Sequence, residues 1–127
     1  MQPAQLRYWS ICSNELATER FWGCVMDDQL PLTADRTYTI VVTAAADRPR
    51  NARPGCGIAW LPAGPGEDTV LIERNMLPDK QFRQSIQAAR YDHERHDLGA
   101  YYPTARYASV AQVEKVGCHA PAVPPRH

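Results

Sequence analysis

The stretch that most constrains the fold is residues 58–78, IAWLPAGPGEDTVLIERNMLP. It begins with an apolar arm at 58–61 and continues into a β-rich run at 68–75. Two Pro and two Gly within residues 62–66 favour a turn between them, because glycine supplies positive φ and proline sets φ at about −65°. We therefore expect a β-hairpin whose connection is residues 62–67.

Three further runs are typical of β-strands. Residues 6–12 and 21–26 are rich in aromatic and apolar side chains that suit a pleated surface. Residues 37–43 alternate with a period of two, with Tyr, Ile and Val at the even positions and mostly Thr at the odd ones. Because threonine is at home in water, one face of this sheet should be solvated.

A single short helix is expected at residues 79–91. Phe82, Ile86 and Ala89 fall at i, i+4 and i+7 and make one apolar stripe. Asp79 suits the first turn, since an acidic side chain is favourable against the helix dipole. The stripe is narrow, so the helix should pack on the edge or end of the sheet.

The length suits one domain at residues 1–118, followed by a Pro-rich tail at 119–127 that should be extended. Residues 101–116 are expected to form either a last strand or a short packed turn. An ordered tail needs a surface to lie on, which is a neighbouring subunit or its own domain. In the first case the partner contacts are Pro121, Pro124 and Pro125.

The four cysteines are expected to form two disulfides. Cys12 and Cys24 flank a turn-like segment, so they fall opposite one another if the two flanking runs pair as a hairpin. Opposed strand residues have Cα atoms about 4.5–5.5 Å apart, a distance that a disulfide bridges. Cys56 and Cys118 are then left for each other. The alternative is four reduced thiols that act as small hydrophobic side chains.

Disulfides predict a periplasmic or secreted protein, although residues 1–10 show no signal-peptide pattern. Fourteen basic side chains balance fourteen acidic ones, with no basic block. This balance argues against nucleic acid and anionic membranes as partners. No apolar run approaches the roughly 20 residues that span a bilayer. Other protein subunits are the expected partners, and a small-molecule or glycan ligand is the alternative.

The sequence contains no recognisable catalytic motif. It lacks a G-x-S-x-G elbow, a phosphate-binding loop and a G-x-G-x-x-G fingerprint. We therefore expect neither a catalytic residue nor a cofactor. His93 and His96, at i and i+3, are weak metal candidates, because Arg95 between them disfavours a cation and the HExxH spacing is absent.

A second hypothesis is a carbohydrate-active or small-ligand-binding domain. Its aromatic platform and polar groups would be Trp9, Trp22, Trp60, Asp27, Asp28 and Arg48. Glu73 could complete a carboxylate pair of the glycosidase kind. The structural alternatives are tryptophans in the core, exposed acids at strand ends and a solvated loop at residues 44–57.

Six segments, in their order, resemble a group of uncharacterised bacterial proteins: RYWSICSNE, GCVMDDQ, YTIVV, ADRPRNA, WLPAGP and ERNMLPDKQF. These proteins in turn resemble the C-terminal jelly-roll domain of the paired "domain of unknown function" proteins of bacteria. The resemblance spans about residues 6–87 and implies a jelly-roll-like antiparallel β-sandwich, often exported, with no established catalytic set. The leading hypothesis is a non-catalytic extracytoplasmic β-sandwich that acts as a structural or binding subunit of a larger assembly.

Overall fold

The computed structural model describes residues 5–65 and 68–126 of the chain. The strands are β1 (Leu6–Glu15), β2 (Phe21–Met26), β3 (Ile40–Thr43), β4 (Ala59–Pro62) and β5 (Thr69–Pro78). The α-helices are α1 (Glu94–Leu98) and α2 (Val110–Lys115), and short 3-10 turns lie between the elements. The β-rich class predicted from the sequence is therefore confirmed. No helix in the described ranges is long and apolar enough to cross a membrane.

The chain divides into two compact units. Unit 1 contains Met1–Trp9 and Arg74–Tyr107, and its first four residues lie outside the described ranges. Unit 2 contains Ser10–Glu73 and Ala108–His127, so the C-terminal tail belongs to it.

A hairpin of β1 and β2 lies in unit 2, as the sequence predicts. The two strands are antiparallel and Cys12 lies directly opposite Cys24. The turn is closed by Glu15, whose N–H donates to the Arg20 carbonyl at 2.8 Å. Asn14 adds a side-chain bond from Nδ2 to the Glu19 carbonyl at 2.9 Å. Local turn bonding and facing strands therefore position the first disulfide.

The hairpin predicted for residues 58–78 is wrong, because its two arms lie in different sheets. β4 pairs with β3, and Trp60 lies beside Val41 in the ladder. β5 instead joins a three-stranded sheet of order β2-β1-β5. The β3–β4 pair is parallel, which departs from the antiparallel arrangement expected for the whole fold.

Contacts at the end of β4 explain why the chain does not fold back on it. Ser13 Oγ donates to the Pro62 carbonyl at 2.6 Å, which joins the end of β4 to β1. The indole ring of Trp22 occupies the space that a Cβ at Gly64 would need, so only glycine fits there. Packing on the β1–β2 hairpin therefore fixes the segment that follows β4.

The strand predicted at residues 37–43 begins only at Ile40. Thr33 and Thr37 close a turn before it, with the Thr33 N–H donating to the Thr37 carbonyl at 3.0 Å. The Thr37 N–H in turn donates to Thr33 Oγ1 at 3.1 Å. These bonds use backbone groups that a longer strand would need for its ladder.

The helix predicted at residues 79–91 is also wrong. The only helical turn described there is the 3-10 turn Ile86–Ala88. Ser85 is extended, with φ −81° and ψ 157°, and its hydroxyl accepts a bond from the Ala88 N–H. Asp79 Oδ1 accepts a bond from the Gln81 N–H at 2.8 Å. Ser85 is therefore the N-cap of the 3-10 turn, and helical geometry begins only after it.

Residues 101–116 form neither a last strand nor a short packed turn. An exposed segment without regular structure leads into α2, which begins after Ser109. Ser109 Oγ accepts a bond from the Gln112 N–H at 3.1 Å, and Gln112 Oε1 accepts one from the Ser109 N–H at 2.8 Å. This reciprocal pair is a capping box, a helix-start signal present in the sequence.

The tail forms no helix up to residue 126 and lies on its own chain. Val123 and Leu32 form an isolated antiparallel bridge with N–H to carbonyl distances of 2.9 and 3.0 Å. The Arg126 N–H donates to the Asp28 carbonyl at 2.8 Å. The prolines predicted as partner contacts flank these bonds, and a partner contact there stays a prediction.

Both units have small cores. In unit 1 the buried side chains include Phe82 and Leu98, and the Phe82 ring meets Tyr101 edge-on at 5.0 Å. The buried apolar side chains of unit 2 include Ile11, Val25, Leu30, Ala52, Ile58, Ala59 and Leu61. Unit 2 also contains both disulfides, Cys12–Cys24 and Cys56–Cys118, in the pairing predicted. A small core gives such cross-links more weight in stability.

We predict that the two disulfides contribute unequally to stability. Their sequence separations are 12 and 62 residues. In the chain-entropy account, Cys12→Ser/Cys24→Ser should lower the free energy of unfolding by about 3 kcal/mol and Cys56→Ser/Cys118→Ser by about 4 kcal/mol. Urea denaturation followed by tryptophan fluorescence measures both losses. A larger loss for the Cys12–Cys24 pair would contradict this order.

Candidate functional site

An open depression lies beside the Cys56–Cys118 disulfide, within unit 2. Its volume is about 320 Å³, and its lining residues are Arg50, Asn51, Arg53, Cys56, Glu114, Gly117 and Cys118. The disulfide brings the loop before β4 to the residues that follow α2. Gly57 has φ +77°, and a Cβ there would lie 2.8 Å from the His119 carbonyl oxygen, so glycine is required at this crossing.

An ion pair forms one wall of this depression. Arg50 donates to Glu114 through Nε at 3.1 Å and Nη2 at 2.9 Å, and its backbone N–H donates to the same carboxylate at 2.9 Å. These bonds, more than charge attraction alone, hold the pKa of Glu114 below its usual range. The guanidinium is therefore already neutralised and is a poor anion receptor.

Asn51 fastens the same loop to the end of α2. Its Nδ2 donates to the Val113 carbonyl at 2.8 Å and to the Gly117 carbonyl at 2.9 Å. The Val113 carbonyl also accepts the Val116 N–H at 3.2 Å, so Asn51 adds a second bond at the end of the helix and one beyond it. The role of Asn51 is structural, and the sequence alone does not mark it.

Arg48 and Trp60, two predicted ligand-binding residues, bind each other. The Arg48 guanidinium lies 4.5 Å from the centroid of the Trp60 ring. It also donates to the Ala52 carbonyl through Nε and Nη2 at 2.9 and 2.7 Å. Trp60 Nε1 donates to Thr43 Oγ1 at 2.9 Å. Arginine covers part of the indole face, so this pair holds the loop onto β3 and β4.

The other two tryptophans lie elsewhere. Trp22 packs against Gly64, and the Arg20 guanidinium lies 5.1 Å from the centroid of its ring. Trp9 is half-buried and belongs to unit 1. The three tryptophans that the sequence proposes as one platform are therefore divided between the two units.

The predicted carboxylates have local partners. Asp27 Oδ1 accepts a bond from the Asp28 N–H at 3.0 Å within the 3-10 turn Asp27–Gln29. The backbone carbonyl of Asp28 holds the tail. Glu73 lies near Tyr38, where burial first and the Glu73 charge second raise the pKa of the tyrosine.

The histidine candidates lie at α1. His93 is the N-cap residue, and His96 Nδ1 lies 3.0 Å from Asp97 Oδ1. Asp97 also accepts bonds from Arg90 through Nε and Nη2, and these hold the pKa of Asp97 well below its usual range. Within residues 5–65 and 68–126, no group of three or more His, Cys, Asp or Glu is placed to hold a metal ion.

Unit 1 exposes three apolar side chains close to Asn75, which we call the apolar patch: Met76, Leu77 and Ile86. Their exposed fractions are 49%, 66% and 39%. Asn75 connects the strand to the 3-10 turn, because its Oδ1 accepts from the Ile86 N–H at 3.3 Å and its carbonyl accepts from Gln87 Nε2 at 2.6 Å. These two bonds join the strand that carries Met76 and Leu77 to the turn that carries Ile86.

Leu77 has an unusual backbone conformation for its residue type. Its φ is +48°, in the left-handed region that leucine adopts rarely. For a residue other than glycine, Asn or Asp, this region costs roughly 1–2 kcal/mol. An apolar side chain is thus held in solvent at the expense of backbone strain. The sequence gives no sign of this feature, because it depends on where β5 ends.

Comparison with protein families, curated proteins and solved structures finds no match to the chain. The jelly-roll resemblance therefore stays a prediction.

We predict that removal of the Arg50 guanidinium raises the pKa of Glu114. In Arg50→Gln the carboxylate loses its two guanidinium bonds, so its pKa should rise towards the ordinary value of about 4.3. A carboxyl whose pKa is lowered in the folded state stabilises the fold above its unfolded pKa. That stability is lost as the pH falls through the folded pKa.

A ¹³C NMR titration of the Glu114 carboxyl measures this change. Arg53→Gln is the matched control, since Arg53 lines the same depression and forms no bond to Glu114. Equal titration midpoints in wild type and Arg50→Gln would show that Arg50 does not lower the pKa of Glu114.

Proposed function

We propose that this chain is a non-catalytic extracytoplasmic subunit that binds another protein through the apolar patch of unit 1. The observation that carries the proposal is Leu77, which is 66% exposed although its backbone is held at φ +48°. Strained residues persist where the surrounding structure over-determines them, and they cluster at binding and catalytic sites. Burial of the Leu77 side chain against a partner would supply favourable free energy that offsets the backbone strain.

The charges around the patch indicate what kind of partner surface fits it. By sequence, unit 1 carries seven Lys and Arg against four Asp and Glu, whereas unit 2 carries seven against ten. Arg74 precedes the patch, and Lys80 and Arg83 lie between its two segments in sequence. Interfaces combine an apolar centre with a complementary polar rim. The partner surface should therefore be apolar at its centre and acidic at its rim.

The location outside the cytoplasm rests on the disulfides. Cytosolic thiols are kept reduced, whereas oxidising compartments preserve such bonds. Both disulfides lie in unit 2, which has a small core. The jelly-roll-like sandwich is part of the same proposal, and its support is the contact between the three-stranded and two-stranded sheets through β2 and β4.

The test replaces Leu77 with asparagine. Asparagine tolerates the left-handed region and removes the apolar anchor. Loss of an interface anchor should weaken partner binding by at least about tenfold, since a central anchor is worth more than about 1.4 kcal/mol. The thermal midpoint should not fall, because the backbone strain is relieved. The readout is native mass spectrometry of the tagged protein purified from the cell envelope fraction, together with its melting curve.

Leu16→Asn is the matched control. Leu16 is also a largely exposed leucine, at 57%, but it lies in the turn between β1 and β2. This variant should retain the complex in full stoichiometry. A wild-type protein that purifies as a lone monomer would contradict the proposal, and so would a complex that Leu77→Asn leaves unchanged.

A further inference from the structure

Residues 103–107 of unit 1 form an exposed segment that belongs to no helix, strand or turn. Each of them is exposed, and Tyr107 is exposed as completely as in a free peptide, at 106%. The segment lies between the 3-10 turn Gly99–Tyr101 and α2. None of its residues takes part in a hydrogen bond within the part of the chain that the structure describes. Its backbone N–H and carbonyl groups are therefore open to an external partner.

The sequence explains why this segment does not join a helix. Pro103 has no N–H and disfavours the α region at the preceding residue, and Tyr102 has φ −71° and ψ 119°. At the other end, the Ser109 capping box sets the start of α2, so the helix does not extend backwards.

This geometry matches what endoproteases recognise. An extended peptide can pair its backbone N–H and carbonyl groups with a strand of its receptor. Exposed segments are also the preferred sites of proteolytic nicking, since no packed structure must open first. We propose that the Arg106–Tyr107 peptide bond is a processing site for endoproteases that cleave after arginine. Hydrolysis consumes one water, breaks the C–N bond, and leaves a carboxylate on Arg106 and an ammonium on Tyr107.

Four other arginines of unit 1 lie in or beside ordered structure. Arg74 lies in β5 and Arg95 in α1, where the backbone belongs to regular structure. Arg90 is bonded to Asp97 through its side chain and its backbone N–H. Arg83 is exposed, but it directly follows Phe82, which is buried. Cleavage at these positions requires local opening, which lowers its rate.

The second disulfide determines what happens after the cut. Cys118 lies in the new fragment, residues 107–127, and its partner Cys56 lies in residues 1–106. The two pieces therefore remain one covalent molecule until that bond is reduced. Arg50 and Asn51 also hold α2, which belongs to the same fragment. Processing thus leaves the protein assembled and makes release of its last helix and tail dependent on reduction.

The experiment is limited digestion of the oxidised protein with trypsin, followed by intact mass measurement. The first product should be heavier than the starting protein by one water without reduction. It should separate into pieces 1–106 and 107–127 after reduction. Arg106→Gln should slow the first cut by at least about tenfold, because the remaining sites must open locally. Arg106→Lys should still be cut at the same bond.

Arg83→Gln is the control, since it removes an exposed arginine of the same unit and should leave the rate unchanged. A first cut at any other Lys or Arg of the wild-type protein would overturn the proposal. Equal rates for wild type and Arg106→Gln would overturn it as well. The position of the wild-type cut is independent of how the variants fold.

Discussion

The Cys56–Cys118 bond is the constraint on which the arrangement of unit 2 depends. It joins positions 62 residues apart and thereby brings the loop before β4 against the end of α2. The Arg50–Glu114 ion pair and the two bonds from Asn51 form across the same junction. An exposed ion pair contributes little to stability by itself. The covalent bond holds the two segments close together, so the weaker contacts form between groups that are already near each other. The bridge between Leu32 and Val123 then holds the tail beyond it.

Much of the chain outside the strands is held by side chains that bond backbone carbonyls. Arg48 closes its own loop in this way, Asn51 holds the end of α2, and Ser13 holds the end of β4. These residues bear polar groups that are typical of binding sites, yet their hydrogen bonds are used within the molecule. The contrast is the apolar patch of unit 1, where Leu77 is exposed and its backbone strained. This contrast is why the proposed function rests on protein binding and not on the tryptophan platform.

The features predicted correctly from the sequence depend on interactions between residues that are close in the chain. The β1–β2 hairpin and its opposed cysteines follow from two nearby runs and one turn. The pairing of β4 with β3 depends on distant residues such as Ser13, so a turn-rich connection alone did not reveal it. A 3-10 turn that begins after the extended residue Ser85 replaces the predicted helix, because an apolar period does not show where the backbone leaves helical geometry. Arg48 and Trp60 were predicted to bind a ligand, and the structure places them against each other. The strain at Leu77 has no signal in composition or spacing.

Two disulfides, in one pairing, organise this chain. Peptide mapping of the natively purified protein tests this, with free thiols blocked before digestion and no reductant present. We expect two linked peptide pairs, one joining Cys12 to Cys24 and one joining Cys56 to Cys118, with no blocked thiol. Four blocked thiols, or a peptide that joins Cys12 or Cys24 to Cys56 or Cys118, would contradict it.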